Sequence, residues 1–117
     1  MTLFRNSLVV LVFLLATSFT FFHHGWADYD QTKTLDYTGT IQEFTFENPH
    51  ALARVQDKDK TWLVYLAPTS RMQSRGVPTA KLAKGQQVRV VGYPHKEVKD
   101  EMRAERIFIA GEKYELR

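Results

Sequence analysis

The side chains in this chain best suited to chemistry are its four histidines, His23, His24, His50 and His95. Imidazole is a good ligand for copper, zinc, nickel and iron. His23 and His24 are adjacent, and Asp28, Tyr29 and Asp30 follow with oxygen donors. His50 comes directly after Asn48-Pro49, at what reads as a junction between two strands. This pattern predicts a metal site built from His23, His24 and His50, with Asp30 or His95 as a fourth ligand, copper the first candidate ion and zinc the second. The plainer reading makes the His pair an exposed tail and gives His50 to a turn. Neighbouring residues of a strand face opposite ways, so His23 and His24 can share one ion only in a bent or terminal segment.

Other chemistry finds less support. The chain has no cysteine, which excludes disulfides, thiolate zinc sites and cysteine nucleophiles. Ser70 and Ser74 stand at no recognisable nucleophile spacing from a histidine. Asp57 and Asp59 belong to a charged turn, and neither Lys84-Gly85 nor Gly92-Tyr93-Pro94 makes a phosphate-cradling loop. The expectation is a protein that is not an enzyme. The net charge of +3 is modest, and basic and acidic residues alternate, as in Lys96-Glu97-Val98-Lys99-Asp100-Glu101, which reads as a solvated loop. Nucleic-acid binders concentrate their basic residues in a stripe, so nucleic acid is not an expected partner.

The elements that must position these residues begin with a leader. Arg5 precedes an aliphatic run from Leu8 to Ala16, followed by Thr17-Ser18. That is the layout of a secretory signal. The uncharged stretch from Leu8 to Phe22 falls short of the roughly 20 residues that a membrane-spanning helix needs. Residues 1–22 are therefore expected to act as a cleaved signal, with cleavage after Ser18 preferred to cleavage after Ala27. The product is a periplasmic protein, or a membrane-anchored one if the leader is retained. Residues 23–117 form one domain.

That domain reads as all-β. Thr34 to Glu47 is rich in β-branched and aromatic residues. Leu35, Tyr37 and Ile41 share one phase of the alternation and Phe44 and Phe46 take the other, which predicts a bulge between Ile41 and Phe44. Gly39 is the place for a close backbone approach. Strands are also predicted over Ala51–Gln56, Thr61–Leu66, Gln87–Tyr93 and Arg103–Ile109, with a short last segment over Glu112–Leu116. Ser70 is expected to cap a short helical turn after the third strand. This order predicts a small five- to six-stranded OB-like barrel with a short helical connection after strand 3. Most of the aromatics, Phe44, Phe46, Trp62, Tyr65, Tyr93, Phe108 and Tyr114, are expected in its core. Trp26 is expected either to plug the barrel mouth or to belong to the tail.

The barrel poses a geometric problem for the metal site. A straight strand from Thr34 to Glu47 spans about 45 Å at ~3.3 Å per residue, leaving His24 and His50 at opposite ends. They meet only if the segment after the leader folds back or the strand coils tightly.

Several short stretches resemble one family. His23-His24-Gly25-Trp26-Ala27, followed by Tyr29-Asp30, is similar to the His-His-Ser-Phe-Ala start of the DUF6152 family of small exported bacterial proteins of unknown function. Thr38-Gly39-Thr40-Ile41, Glu47-Asn48-Pro49-His50-Ala51, Ser74-Arg75-Gly76, Leu82-Ala83-Lys84-Gly85-Gln86 and Val88-Arg89-Val90-Val91-Gly92-Tyr93 resemble later motifs of that family in the same order. The resemblance implies export, a small β-barrel and a mature chain beginning close to the His pair. It implies no established activity. The expected function is a periplasmic-type histidine-based metal-binding module. The alternative is a non-catalytic module that binds an envelope protein or polymer through the barrel face.

Overall fold

The computed structural model describes residues 25–117; His23, His24 and the leader lie outside the described residues. Six strands follow in order: β1 (Leu35–Glu47), β2 (His50–Asp57), β3 (Lys60–Pro68), β4 (Gln87–Pro94), β5 (Glu101–Ile109) and β6 (Glu112–Glu115). A helix of six residues, α1 (Thr69–Ser74), and a 3-10 turn over Thr79–Leu82 connect β3 to β4. Antiparallel pairing runs β3-β2-β1-β4-β5-β6, and a parallel pairing of β3 with β5 closes the first five strands into a barrel. This is the expected OB-type architecture, with β6 added along the second half of β5.

The coiling of β1 makes closure possible. Its first half, Leu35 to Thr40, pairs with β4, and its second half, Thr40 to Glu47, pairs with β2. The register shifts between Ile41 and Glu43, where the change of phase predicted a bulge. At Gly39 an added Cβ would lie 2.6 Å from the Gln56 carbonyl oxygen and 2.7 Å from Val55 Cγ1. The missing side chain lets β1 bend across β2 there.

The core is aliphatic rather than aromatic. Ile41, Val55, Val64, Leu66, Val90, Met102 and Ile107 are fully buried inside the barrel, and Met72, Leu82 and Leu116 close it. Of the aromatics expected inside, Trp62 is buried, and Phe44 and Tyr114 pack partly against the core. Tyr65, Tyr93 and Phe108 are half-buried, and Phe46 is exposed. The interior of a five-stranded barrel is narrow, so branched aliphatic side chains fill most of it, Trp62 is accommodated within it, and Tyr65, Tyr93, Phe108 and Phe46 keep part of their rings in solvent. The capping of α1 also differs from expectation. The helix begins at Thr69 after Pro68, has no side-chain cap, and directs the Thr69 N–H to the Pro49 carbonyl at 3.0 Å. The turn before β2 thus accepts from the first N–H of the helix, one of the donors that a helix start leaves open.

Candidate functional site

On β3, Trp62, Val64 and Leu66 point inward, which turns Leu63 and Tyr65 outward. On β2, Ala51, Ala53 and Val55 point inward, which turns His50 and Leu52 outward. On β5, Met102 and Ala104 join the core, so Arg103 belongs to the outer face. β3 and β5 are paired with Leu63 opposite Glu101 and Tyr65 opposite Arg103. His50, Leu52, Tyr65, Glu101 and Arg103 therefore form one patch on the outside of the barrel.

A second piece of chain turns this patch into a cavity. Residues 25–30 fold back over the outer face. Tyr29 forms a β-bridge with His95, the Asp30 N–H donates to the Pro94 carbonyl at 2.8 Å, and the Lys96 N–H donates to the Asp28 carbonyl at 2.9 Å. Trp26 neither plugs the barrel mouth nor trails as a tail. Its ring lies against two guanidinium groups, Arg103 and Arg117, each 4.3 Å from the ring centre, and meets Tyr93 edge-on. Such contacts are worth about 0.5–2 kcal/mol each. The result is a cavity of about 280 Å³ lined by Asp28, Tyr29, His50, Leu52, Tyr65, His95, Glu101 and Arg103.

Its polar groups are closely coupled. The Tyr65 hydroxyl and His50 Nδ1 lie 2.6 Å apart. With the ring proton on Nδ1 donated to the phenol oxygen, the Nε2 lone pair of His50 is left for a ligand. Burial pushes the Tyr29 hydroxyl up to about 12 and raises Tyr65 as well, so both phenols stay protonated at neutral pH. Arg103 is only 6% exposed, and the Tyr65 ring lies 4.7 Å from its guanidinium carbon. Burial lowers its proton affinity, yet a guanidinium keeps its charge in a protein. With the imidazoles neutral, the carboxylates of Asp28 and Glu101 outnumber this one cation in the lining.

The structure treats the predicted ligands differently. His50 opens into the cavity, whereas His23 and His24 lie outside the described residues. The Asp30 carboxylate does not line the cavity. Its Oδ1 accepts from the Thr32 N–H at 3.1 Å and from the Thr32 hydroxyl, closing a tight turn, and these bonds lower its pKa. Asp28 is the acidic residue of this segment that lines the cavity. His95 lines it too, but its chemistry is committed. Nδ1 accepts from the backbone N–H of Glu97 and of Val98, each at 3.0 Å, so the ring proton sits on Nε2, 3.5 Å from Glu101 Oε2. A metal at Nε2 would force a proton onto Nδ1, where two N–H groups already point. His95 is a turn-fixing residue. Among the described residues no group of three or more His, Cys, Asp or Glu is placed to hold an ion.

Two substitutions separate these roles. His95→Ala removes both acceptor contacts of the turn and is expected to cost about 1–3 kcal/mol, a fall in Tm of roughly 5–15 °C, with metal uptake unchanged. A loss of metal binding in a folded His95→Ala protein would return His95 to the ligand set. Tyr65→Phe keeps the ring but frees His50 Nδ1. If His50 holds an ion, as the sequence leads one to expect, this variant should bind it about 10–100-fold more weakly, as loss of an orienting partner does, and calorimetric titration reads this directly.

Tyr65, Glu101 and Arg103 were not singled out from the sequence as members of a site. Alternation in β3 and β5 separates inner from outer positions, but it carries no sign that a distant segment covers the outer ones. Glu101 in particular reads as loop, yet it starts β5.

The class is defined by this geometry: a small closed OB-type barrel with a cavity on its outer face, walled by its own N-terminal segment. The chain belongs to DUF6152, a family of unknown function, which matches residues 11–103. Among solved structures it is similar to the ZRD-deleted mutant of TiaS in complex with agmatine, with 21% identity and a TM-score of 0.55 over 74% of this chain and 27% of that one. It is also similar to the OBody NL8 bound to hen egg-white lysozyme, with 18% identity and a TM-score of 0.50 over 68% of this chain and 96% of that one. The chain thus spans about a quarter of the TiaS chain, and at these identities the likeness is one of fold. No curated protein matches it.

Proposed function

We propose that this chain is an exported, periplasmic-type metal-binding module without catalytic activity, copper being the first candidate ion and zinc the second. The barrel supplies His50 Nε2, and His23 and His24 supply the further imidazoles. The observation that carries this reading is the fold-back of residues 25–30 onto the cavity that His50 lines. A metal site required that return of the chain. His24 is four residues upstream of Asp28, so at most about 14 Å of extended backbone separates it from the cavity wall. The excess of carboxylate over guanidinium in the lining favours a cation. The test is copper and zinc titration of the exported, metal-free protein, wild type against a variant carrying both His23→Ala and His50→Ala. Equal uptake by the two ends the proposal. Binding should also weaken as the pH is lowered, because protons compete with the ion for imidazole.

A second reading is favoured by one observation. Phe46 is 38% exposed and stacks on Phe44 at the β1–β2 end of the barrel. As an interaction module the protein would use this outer face to bind an envelope protein or polymer, much as the OBody, a barrel of similar fold, is bound to lysozyme. Tyr65 and Tyr93 remain partly accessible for such a role, whereas buried Trp62 does not. Partner capture that persists in excess chelator and is lost in Phe46→Ser would select this reading.

A further inference from the structure

We propose that one flank of the barrel docks on an anionic phospholipid bilayer, through the connection between β3 and β4 and the two phenylalanines of β1. This adds a partner to the proposed function. It rests on the export part of that reading and is independent of the metal.

Charge is the first argument. Residues 69–86, the connection, carry Arg71, Arg75, Lys81 and Lys84 and no Asp or Glu. Other cations of the barrel face carboxylates, as Arg54 faces Glu43, Lys60 faces Asp100, Arg89 faces Asp36 and Arg117 faces Glu105. Among the described residues no ion pair ties any of the four connection cations to a carboxylate. Arg71 and Arg75 donate to the backbone carbonyls of Leu116 and Arg117, each at 3.2 Å, which leaves their charge uncompensated. Arg75, Lys81 and Lys84 are exposed, whereas Met72, Val77 and Leu82 are buried. The connection thus turns its apolar side to the core and its cations outward.

Geometry is the second argument. Both ends of the connection touch the second half of β1 and its turn. The Thr69 N–H donates to the Pro49 carbonyl at 3.0 Å, and the Gly85 N–H donates to the Ile41 carbonyl at 2.8 Å. Phe44 and Phe46 stand opposite Ala53 and Ala51 of β2. Those alanines face the core, so the two rings share the side of the hairpin that the connection covers. The rings stack with centres 6.2 Å apart, and Phe46 stays exposed. Glu43 and Glu47 alternate onto the other side of the strand, where Glu43 is drawn to Arg54. Cations and an exposed ring are therefore gathered on one flank, and the carboxylates of the adjoining strand face away. An anionic bilayer matches both features. Its phosphates attract cations within a Debye length of about 10 Å, and its headgroup boundary accepts an aromatic ring. A soluble polyanion offers the charge but no apolar layer for the ring.

The experiment is cosedimentation of the exported protein with vesicles of phosphatidylcholine, pure or with a one-third share of phosphatidylglycerol. Excess chelator removes any metal bridge between protein and lipid, so the outcome is separate from the metal-binding reading. The expected result is binding to the anionic vesicles that falls as salt is raised, with little binding to the neutral ones. Each Lys or Arg near such a surface strengthens binding about 5-fold. The triple variant Arg75→Gln, Lys81→Gln, Lys84→Gln, which changes exposed residues only, should therefore bind about 100-fold more weakly. Lys33→Gln, at the far end of β1 from Phe46, should bind as wild type does. Phe46→Ser should weaken binding several-fold with the salt dependence kept. An exported chain that sediments equally with both kinds of vesicle, or a folded triple variant that binds like wild type, overturns this inference alone. Binding unchanged in Phe46→Ser, together with equal affinity for inorganic polyphosphate, would assign the cations to soluble polyanions and overturn the bilayer as partner. A chain retained in the cytoplasm overturns the export reading and this inference with it.

Discussion

Metal-free protein carrying His50→Ala should bind Cu(II) more than about 100-fold more weakly than wild type. Loss of a residue that merely orients a ligand costs about 10–100-fold, and His50 is proposed as a ligand itself. It lines the cavity, and because Tyr65 meets its Nδ1, the tautomer protonated there leaves the Nε2 lone pair for an ion. The variant should fold. His50 opens β2 on the outer face, and what it gives up is a ring contact and a hydrogen bond with Tyr65, the bond worth about 1 kcal/mol. Calorimetric copper titration, with circular dichroism to confirm the barrel, measures both quantities. An affinity within threefold of wild type, with the fold intact, would remove His50 from the site. The comparison with His95→Ala adds discrimination, because the two histidines line the same cavity and the Nδ1 of His95 is already held by two backbone N–H groups.

The largest effect on stability is expected at Gly92. A Cβ added there would sit 2.0 Å from the Arg103 carbonyl oxygen, 2.8 Å from its carbonyl carbon and 2.9 Å from Ala104 Cα. All three are backbone atoms of the neighbouring strand, so no rotamer change relieves the clash. Gly92 lies at the register shift between β4 and β5 and also pairs with Leu35 of β1. The strain therefore falls on two seams of the barrel. Overpacking in a well-packed interior costs typically 1–3 kcal/mol and sometimes more. With backbone on the other side, Gly92→Ala should reach at least ~3 kcal/mol, a fall in Tm of roughly 12 °C or more for a domain this size. Small domains hold only about 5–15 kcal/mol in total, so partial unfolding at growth temperature is within range. Gly39→Ala should cost less, because one of its two closest atoms is a Val55 side-chain carbon. Thermal denaturation of both variants measures the order. A Tm for Gly92→Ala within about 3 °C of wild type would show that the β4–β5 seam yields more easily than its geometry indicates.

Much of the barrel was legible in the residues, and the reason is local. Period-two alternation puts Ile41 in one phase with Leu35 and Tyr37, and the structure buries Ile41 and packs the other two against the core. The change of phase after Ile41 marked the bulge, because a one-residue slip must move every later side chain to the other face. Gly39 marked the close approach of β2 for an equally local reason: only a missing side chain admits a backbone oxygen there. The boundaries that went astray were set from a distance. Ser70 does not cap α1, because the helix starts one residue earlier and places Ser70 within its first turn, while the Pro49 carbonyl, from another turn, holds the leading Thr69 N–H. Glu101 is strand rather than loop, because its pairing partner is Leu63, far away in the chain.

The amino-acid order by itself determined the strand phases, the bulge, the helical connection and the choice of His50 as a candidate ligand, since each follows from residue type and near-neighbour spacing. Only the tertiary structure decided that Tyr65 orients His50, that His95 is bound to its own turn, that Asp28 rather than Asp30 lines the cavity, and that Arg103 is buried on the outer face. Those facts depend on residues 25–30 crossing back over β5, and on the closure of β3 against β5. Contacts between elements so far apart in the chain depend on how the closed barrel brings surfaces together, and no local pattern encodes them.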